Sequence, residues 1–143
     1  MKSGAIKALV VLGEDATKCG LAEEDLRKLD ALVVTDILPN KTTALASVLL
    51  PAAGWAEKRG SMINVRGRLQ RLNRAVDAPG HAHDDWEILR DLIQAVSGSN
   101  GLYMIEDVFK QMASEVKEFA GLNLSKIGDL GVQVIEKQQT AAK

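Results

Sequence analysis

Cysteine is nearly absent. Cys19 stands alone among 143 residues. That excludes an internal disulfide, a four-cysteine zinc site and an iron–sulfur cluster held wholly by this chain's cysteines. Aromatics are scarce at 3%, so the stacking platforms that grip single-stranded nucleic acid are missing. Long apolar runs are lacking too. A spanning helix needs about 20 apolar residues. The longest weakly polar stretch, Ala44 to Ala56, is interrupted by Ser47, Pro51 and Gly54, so no direct membrane insertion is expected. The opening MKSGAIKALVV has no small-residue cleavage site before Gly13-Glu14-Asp15. It reads as no signal peptide, and the expected location is cytoplasmic. Excess charge of one sign is also missing. The 18 basic and 19 acidic residues leave a formal net charge of −1, which argues against a globally basic nucleic-acid binder.

What is present suffices for an ordinary domain. The hydrophobic fraction is 46%, enough to bury a core. Ala5 to Leu12 is a short, valine-bearing apolar run stopped at Gly13. A run of this length fits a strand buried on both faces, as in parallel sheets. Leu21 to Leu29 reads as a helix. Leu21, Leu26 and Leu29 form its apolar side, and Glu23, Glu24, Arg27 and Lys28 its wet side. Ala31 to Thr35 is a second strand ending at Asp36. Thr42 is a candidate cap for a short helix through Ala46. Ser47 to Leu50, stopped by Pro51, reads as a third strand. The pattern β-α-β-α-β predicts a parallel sheet with right-handed crossovers. Three strands are few, which points to part of a larger sheet.

The middle of the chain changes character. From Ser61 to Leu72 residues alternate, with Ile63, Val65 and Leu69 on one parity. Arg66-Gly67 is placed as a two-residue hairpin turn. Lys58, Arg59, Arg66, Arg68, Arg71 and Arg74 fall together, with no acid from Lys58 to Val76. The rest of the chain then holds 12 basic against 19 acidic residues, so the small total hides a segregation of charge.

The last third is expected to be helical. Asp84 and Glu87 have capping-box spacing, and Trp86, Leu89, Ile93 and Val96 share one face of a helix ending near Ser97-Gly98. Ile105, Val108, Phe109, Met112, Val116 and Phe119 give a second helix closed at Gly121. Asn123 to Ile135 reads as a loop with apolar anchors, and Glu136 to Lys143 as a polar tail. The fold class is therefore α/β: a partial parallel, Rossmann-like sheet, a β-hairpin insertion and a helical C-terminal tail. The boundaries set residues 1–96 as the α/β portion and 97–143 as a helical extension.

Several residues are candidates for chemistry. Gly13, Glu14 and Asp15 follow a strand and precede a helix, at the end of a parallel sheet where ligands bind. The full glycine fingerprint of dinucleotide sites is missing, so a plain turn stands beside a phosphate site. Asp36 ends the second strand, where an acid can take ribose hydroxyls; the alternative is a turn aspartate. Arg66, Arg68, Arg71 and Arg74 form a basic patch. It suits a phosphate-bearing ligand, acidic neighbours or simply solvent. His81-x-His83 with Asp84 and Asp85 is half a metal site without an obvious third ligand, so no metal is assigned. Cys19 lacks a paired histidine and reads as no nucleophile. No catalytic residue is assigned.

Three motifs then resemble a known family. Leu32 to Asp36, followed by Thr43 to Ala53 (TALASVLLPAA), resembles the run "vvtD…T…ADVVLPAA" of molybdopterin oxidoreductases. Glu57 to Gln70 (EKRGSMINVRGRLQ) resembles their "E-K-x-G-T-F-x-N-x-E-G-R-x-Q", and Ala75 to Trp86 (AVDAPGHAHDDW) resembles the "A…aPGeA…DW" that follows. Arg66 stands where glutamate is usual, which puts any inherited ion pair there in doubt. Within the superfamily, the likeness reads as greatest to the large iron–sulfur subunit of respiratory complex I. AVDAPGHAHDDWEILRDL, and a helical tail in place of a C-terminal β-barrel, point that way.

That resemblance implies a C-terminal piece of an NADH:quinone oxidoreductase subunit, structural and catalytically silent alone. The parent's iron–sulfur clusters would lie elsewhere. Its partners would be the rest of the parent subunit and other complex I subunits, peripheral to the inner membrane, with no nucleic acid. The alternative is the nucleotide-binding portion of a molybdopterin enzyme such as formate dehydrogenase. There Gly13, Glu14, Asp15 and Asp36 would lie near molybdopterin guanine dinucleotide. A third reading is an interaction module that docks acidic partners on the arginines.

Overall fold

The computed structural model describes residues 4–99 and 102–135. They fall into two compact units, the described residues up to 54 with 78–89, and residues 55–77 with the described residues from 90 onward. The α/β fold class expected from the sequence holds.

The first unit is built on three parallel strands, β1 (Ala8–Leu12), β2 (Ala31–Asp36) and β3 (Val48–Pro51), in that spatial order. Valine-rich runs favour strands because β-branched side chains pack well on a pleated surface. The register sets Val10 beside Val33 and Val33 beside Val48. Successive side chains point to opposite faces, so Leu9, Val11, Leu32 and Val34 share one face. They pack with Leu21, Leu26 and Leu29 from the first crossover and Leu45 and Ala46 from the second. Leu26, Leu32 and Val34 are fully buried there.

The helices of this unit are shorter than the apolar spacing suggests. The helix expected over Leu21–Leu29 is a single turn, α1 (Glu23–Leu26). Few residues are available, and short helices gain little alone. The amide of Asp30 already donates to Lys7 O at 2.7 Å, which draws the chain into β2. The leucines nevertheless pack as their spacing required. The second helix, α2 (Lys41–Leu45), is capped by Asn40 rather than by Thr42. Asn40 Oδ1 accepts from the Thr43 amide at 3.0 Å, and Thr43 Oγ1 accepts from the Asn40 amide at 2.8 Å. This reciprocal pair is a capping box. Beyond β3, Ala52 and Ala53 are buried. Ala52 forms a parallel bridge with His83, whose carbonyl accepts from the Ala53 amide at 2.8 Å.

The second unit is antiparallel. Strand β4 (Gly60–Ile63) pairs with β5 (Arg68–Leu72), and β5 with the two-residue β6 (Val132–Gln133). The hairpin is confirmed, but its turn is longer than Arg66-Gly67. Asn64 N donates to Arg68 O at 3.0 Å and Gly67 N to Asn64 O at 2.9 Å, which sets Val65 and Arg66 at the corners. Gly67 follows with φ +74°. A Cβ there would strike the Ile135 carbonyl. Gly67 is therefore required on two counts, its backbone angle and the close approach of a second segment. Val65, expected on the buried parity, sits at the tip and is exposed.

Helix α3 spans Asp85–Ser97, so Asp84 precedes its first residue as the spacing predicts, and Gly98 at φ +67° follows its last. Of the expected apolar face, Ile93 and Val96 are exposed; Ile88, outside that set, is buried. Helix α4 spans Ile105–Glu115 and stops before the expected Phe119. A separate 3-10 turn covers Lys117–Phe119. Ten residues of continuous helix would rotate Phe119 about 80° away from Phe109. The break brings the rings to 6.2 Å between centroids. The segment expected as a loop after Asn123 holds a second 3-10 turn, Leu124–Ile127, and then β6. Its apolar anchors are real: Leu124 and Ile127 are buried with Leu69, Phe109 and Phe119.

Candidate functional site

The carboxyl ends of β1 and β2 carry the candidates Gly13, Glu14, Asp15 and Asp36. Gly13 adopts φ +62° and donates its amide to Thr35 O at 2.7 Å, extending the β1–β2 pairing past the strand end. Glu14 is exposed. Asp15 turns inward. Its Oδ1 accepts from the Thr17 amide at 3.1 Å, the Thr17 hydroxyl at 2.8 Å and the Thr42 hydroxyl at 2.9 Å. Thr42 is fully buried in the first turn of α2. The Thr17 hydroxyl bond holds the Asp15 carboxyl below its ordinary pKa, helped by Thr42, the Thr17 amide and Lys18, while desolvation opposes them.

Asp36 is organised differently. Its Oδ1 accepts from the Ile37 amide at 2.7 Å and the Leu38 amide at 3.4 Å, and its Oδ2 accepts from Asn40 Nδ2 at 2.6 Å. Asn40 in turn caps α2. Both loops are thus tied to one short helix, Asp15 through Thr42 and Asp36 through Asn40. The acids differ in what they leave open. Both oxygens of Asp36 are engaged, whereas the hydrogen bonds given to Asp15 among the described residues all fall on Oδ1. Thr35, at the end of β2, is 1% exposed, and its hydroxyl finds no hydrogen-bond partner among the described residues. Sequence reasoning passed over Thr17 and the capping role of Asn40, and took Thr42 as a helix cap rather than as a partner of Asp15. Asn40-x-x-Thr43 has capping-box spacing, and Asp15-x-Thr17 is an Asx-turn pattern.

The basic patch is dispersed over several partners. Arg68 donates through Nη1 to Leu130 O at 3.0 Å and Gly131 O at 2.9 Å. Arg71 lies 3.7 Å from Asp129, and Arg59 donates to Glu106 Oε1 at 2.8 Å. Arg66 is exposed at the turn; its carbonyl accepts from Gln133 Nε2 at 2.8 Å. Arg74 is exposed as well. Arg59 and Arg71 line a cleft of about 670 Å³ together with Ile105, Glu106, Asp107 and Lys110, so both charge signs meet there. His83 Nδ1 is 3.6 Å from Glu87 Oε2, and His81 and Cys19 are exposed. Among the described residues, no group of three or more histidine, cysteine or acidic side chains is placed to hold a metal ion.

Short parallel strands joined by βα crossovers define an α/β protein. The family model for molybdopterin oxidoreductases matches residues 1–95, and the chain belongs to that family. It is 38% identical over 134 residues to F420-dependent formate dehydrogenase 2 subunit alpha of Methanococcus maripaludis, covering 90% of this chain and 20% of that protein. It is 35% identical over 128 residues to the corresponding subunit of Methanocaldococcus jannaschii, covering 85% of this chain and 19% of that protein. It is 32% identical over 126 residues to the NADPH-Fe(3+) oxidoreductase subunit alpha of Geobacter sulfurreducens, covering 85% of this chain and 15% of that protein. The chain spans about a fifth or less of each.

These relatives overturn the assignment to the large iron–sulfur subunit of complex I. The family resemblance was correct, but its finer branch was not: several of the similar proteins are formate dehydrogenases, alpha subunits among them, and none of those named is a complex I subunit. The missing β-barrel misled the reading. A chain matching a fifth of its relatives carries no information about domains outside the match. Quinone, NADH dehydrogenase and inner-membrane association lose their support with it. Among the described residues no helix is long and apolar enough to cross a membrane.

Proposed function

We propose that this chain is the part of a formate-dehydrogenase-type molybdopterin oxidoreductase that helps bind the guanine nucleotide end of the cofactor. The observation that carries this reading is the pair of strand-end loops locked by one helix, with Asp15 turned inward and acceptor capacity left on its carboxylate. A carboxylate held ionised in a βα crevice suits the amino and imino hydrogens of a guanine base or the hydroxyls of a ribose. Gly13 gives the backbone room to pass closely, and Glu14 stands at the rim. Asp36 holds the second loop in shape through Asn40. The residues present therefore fit a nucleotide. When bound, the cofactor supplies the redox centre of the parent enzyme; this chain's residues position and anchor. The hairpin residues Arg66, Arg68, Arg71 and Arg74 are assigned to fastening the 129–135 segment and to the protein surface. The parent protein is an oxidoreductase subunit with iron–sulfur clusters outside this chain and with partner subunits.

The test is isolation of the native protein from its source with an antibody raised against this chain. The expected result is a polypeptide several times larger than 15.4 kDa. It carries molybdenum or tungsten, releases guanine nucleotide on acid treatment and reduces a dye with formate. A protein of the parent size without metal or guanine nucleotide would overturn the reading.

A further inference from the structure

The cleft of about 670 Å³ lies wholly within the second unit. The β4–β5 hairpin supplies Arg59 and Arg71 at its base, and the first turns of α4 supply Glu106, Asp107 and Lys110. Ile105, Leu122 and Leu124 give it an apolar lining. Strand geometry explains why an arginine faces that lining. Successive side chains of a strand point to opposite faces, so Arg71 shares its face of β5 with Leu69. Leu69 is buried in one cluster with Phe109 and Leu124. Arg71 therefore stands at the edge of an apolar core, with its side chain 35% exposed. A guanidinium drawn partly out of water needs a partner. The one it has is Asp129, 3.7 Å away with a side chain 95% exposed, and exposed pairs of this kind hold little.

The acids of the cleft are already answered. Arg59 donates to Glu106 Oε1 at 2.8 Å. Asp107 lies in the first turn of α4, where the partial positive charge of the helix end offsets it. Lys110 is exposed and makes no ion pair among the described residues. That leaves two cations, Arg71 loosely held and Lys110 unpaired, beside three apolar side chains. The hairpin wall adds no opposing charge, since no acid falls between Lys58 and Val76. Cations of this kind recognise acidic motifs in peptides. A guanidinium takes a carboxylate through paired donors, and an ammonium adds a point charge. A small anion would satisfy the cations but leave Ile105, Leu122 and Leu124 uncovered. A peptide brings a carboxylate and a neighbouring apolar side chain together.

We propose that this cleft docks an acidic segment of a partner subunit, with a carboxylate on Arg71 and Lys110 and an apolar side chain against Ile105, Leu122 and Leu124. The proposal rests on the reading that the parent is one subunit of an assembly, as the Methanococcus maripaludis relative is by its name a subunit alpha. Recognition is led by charge, so it weakens as salt rises.

The test has two arms. The first uses the isotope-labelled 143-residue chain and, as probe, a capped peptide of leucine between two glutamates, with its glutamine analogue as control. The variants are Lys110→Gln and Arg71→Gln, and thermal melting establishes that each is folded. If Arg71→Gln does not fold, Lys110→Gln, at an exposed helix position, carries the test alone. The expected result is saturable amide shifts at Arg71 to Asn73, Ile105 to Lys110 and Leu122 to Ser125. Affinity falls about ten-fold or more for the glutamine peptide and for each variant, and it falls with added salt. Equal binding of the two peptides, no shifts at millimolar peptide, or shifts that the variants leave unchanged overturn the proposal. The same shifts from inorganic phosphate at equal concentration also overturn it, because a small anion is then the occupant. The second arm treats the native assembly, isolated with the antibody, with a carbodiimide that joins amines to carboxylates in contact. The expected cross-link runs from Lys110 to a glutamate or aspartate of a different polypeptide. A Lys110 cross-link within its own polypeptide, or none, overturns the proposal. The outcome is separable from the cofactor reading. A native protein that carries metal and guanine nucleotide but gives no such cross-link fails this proposal alone.

Discussion

The two units of this chain are held together by different kinds of contact. In the first, the sheet and its core join near neighbours in sequence, and the 78–89 segment, bridged to Ala52 through His83, is the exception. β1, α1, β2, α2 and β3 follow one another, and every residue of the core from Leu9 to Ala46 lies within one short β-α-β-α stretch. In the second, closure is distant. Leu69 packs with Phe109, Phe119, Leu124 and Ile127, and Arg68 reaches carbonyls more than sixty residues away. The first unit thus follows from local pattern, and the second from long-range closure that no window of sequence displays.

Substitutions at these two kinds of contact sharpen the contrast. The largest effect is expected at Leu69, which is 2% exposed between β5 and the helical segments. Leu69→Ala should cost about 2–5 kcal/mol in chemical denaturation, by lost burial plus a cavity. A cost under about 1 kcal/mol would show that the distant closure is loose. Gly67→Ala should cost about 2 kcal/mol, because it forces a Cβ into a left-handed backbone and against Ile135. Hydrogen exchange should show β6 amides losing protection first. In the first unit, Asn40→Ala removes the α2 cap and should cost about 1 kcal/mol. An unchanged midpoint would mean that packing of Leu45, not the cap, holds α2.

The smallest effect concerns pH. Asp15 has its pKa lowered in the folded state. Its contribution to stability is present above the unfolded value, about 3.9, and is lost as pH falls through the lower folded value. Acid titration of the wild type should therefore show a destabilising limb below about pH 4. Asp15→Asn should reduce that limb. A limb of equal size in the variant would assign acid sensitivity to other carboxylates.

The same contrast explains what could be read from sequence. The three strands and their parallel order were legible, because valine-rich runs separated by short crossovers allow little else. The hairpin was legible from alternation, but its turn runs over Val65, Arg66 and Gly67, with Gly67 alone in the left-handed region. The break before Phe119 was hidden: periodicity continues through Val116 although the helix does not. β6 was invisible, since two residues give no pattern. At the candidate site the acids were found by position; Thr17 was not, and Thr42 was read as a cap rather than as a partner of Asp15. The complex I assignment failed for another reason. It rested on the AVDAPGHAHDDWEILRDL likeness and on the lack of a β-barrel after it, and a partial chain cannot speak to the second.

The central claim is that the ends of β1 and β2 receive a guanine nucleotide. Titration of the isotope-labelled chain with GDP, followed by amide chemical shifts, tests it residue by residue. The account predicts weak, saturable shifts at Gly13 to Thr17 and Ile37 to Thr43, abolished by Asp15→Asn. Shifts confined to the cleft of Arg59, Arg71 and Lys110, or no shifts at millimolar nucleotide, would contradict it.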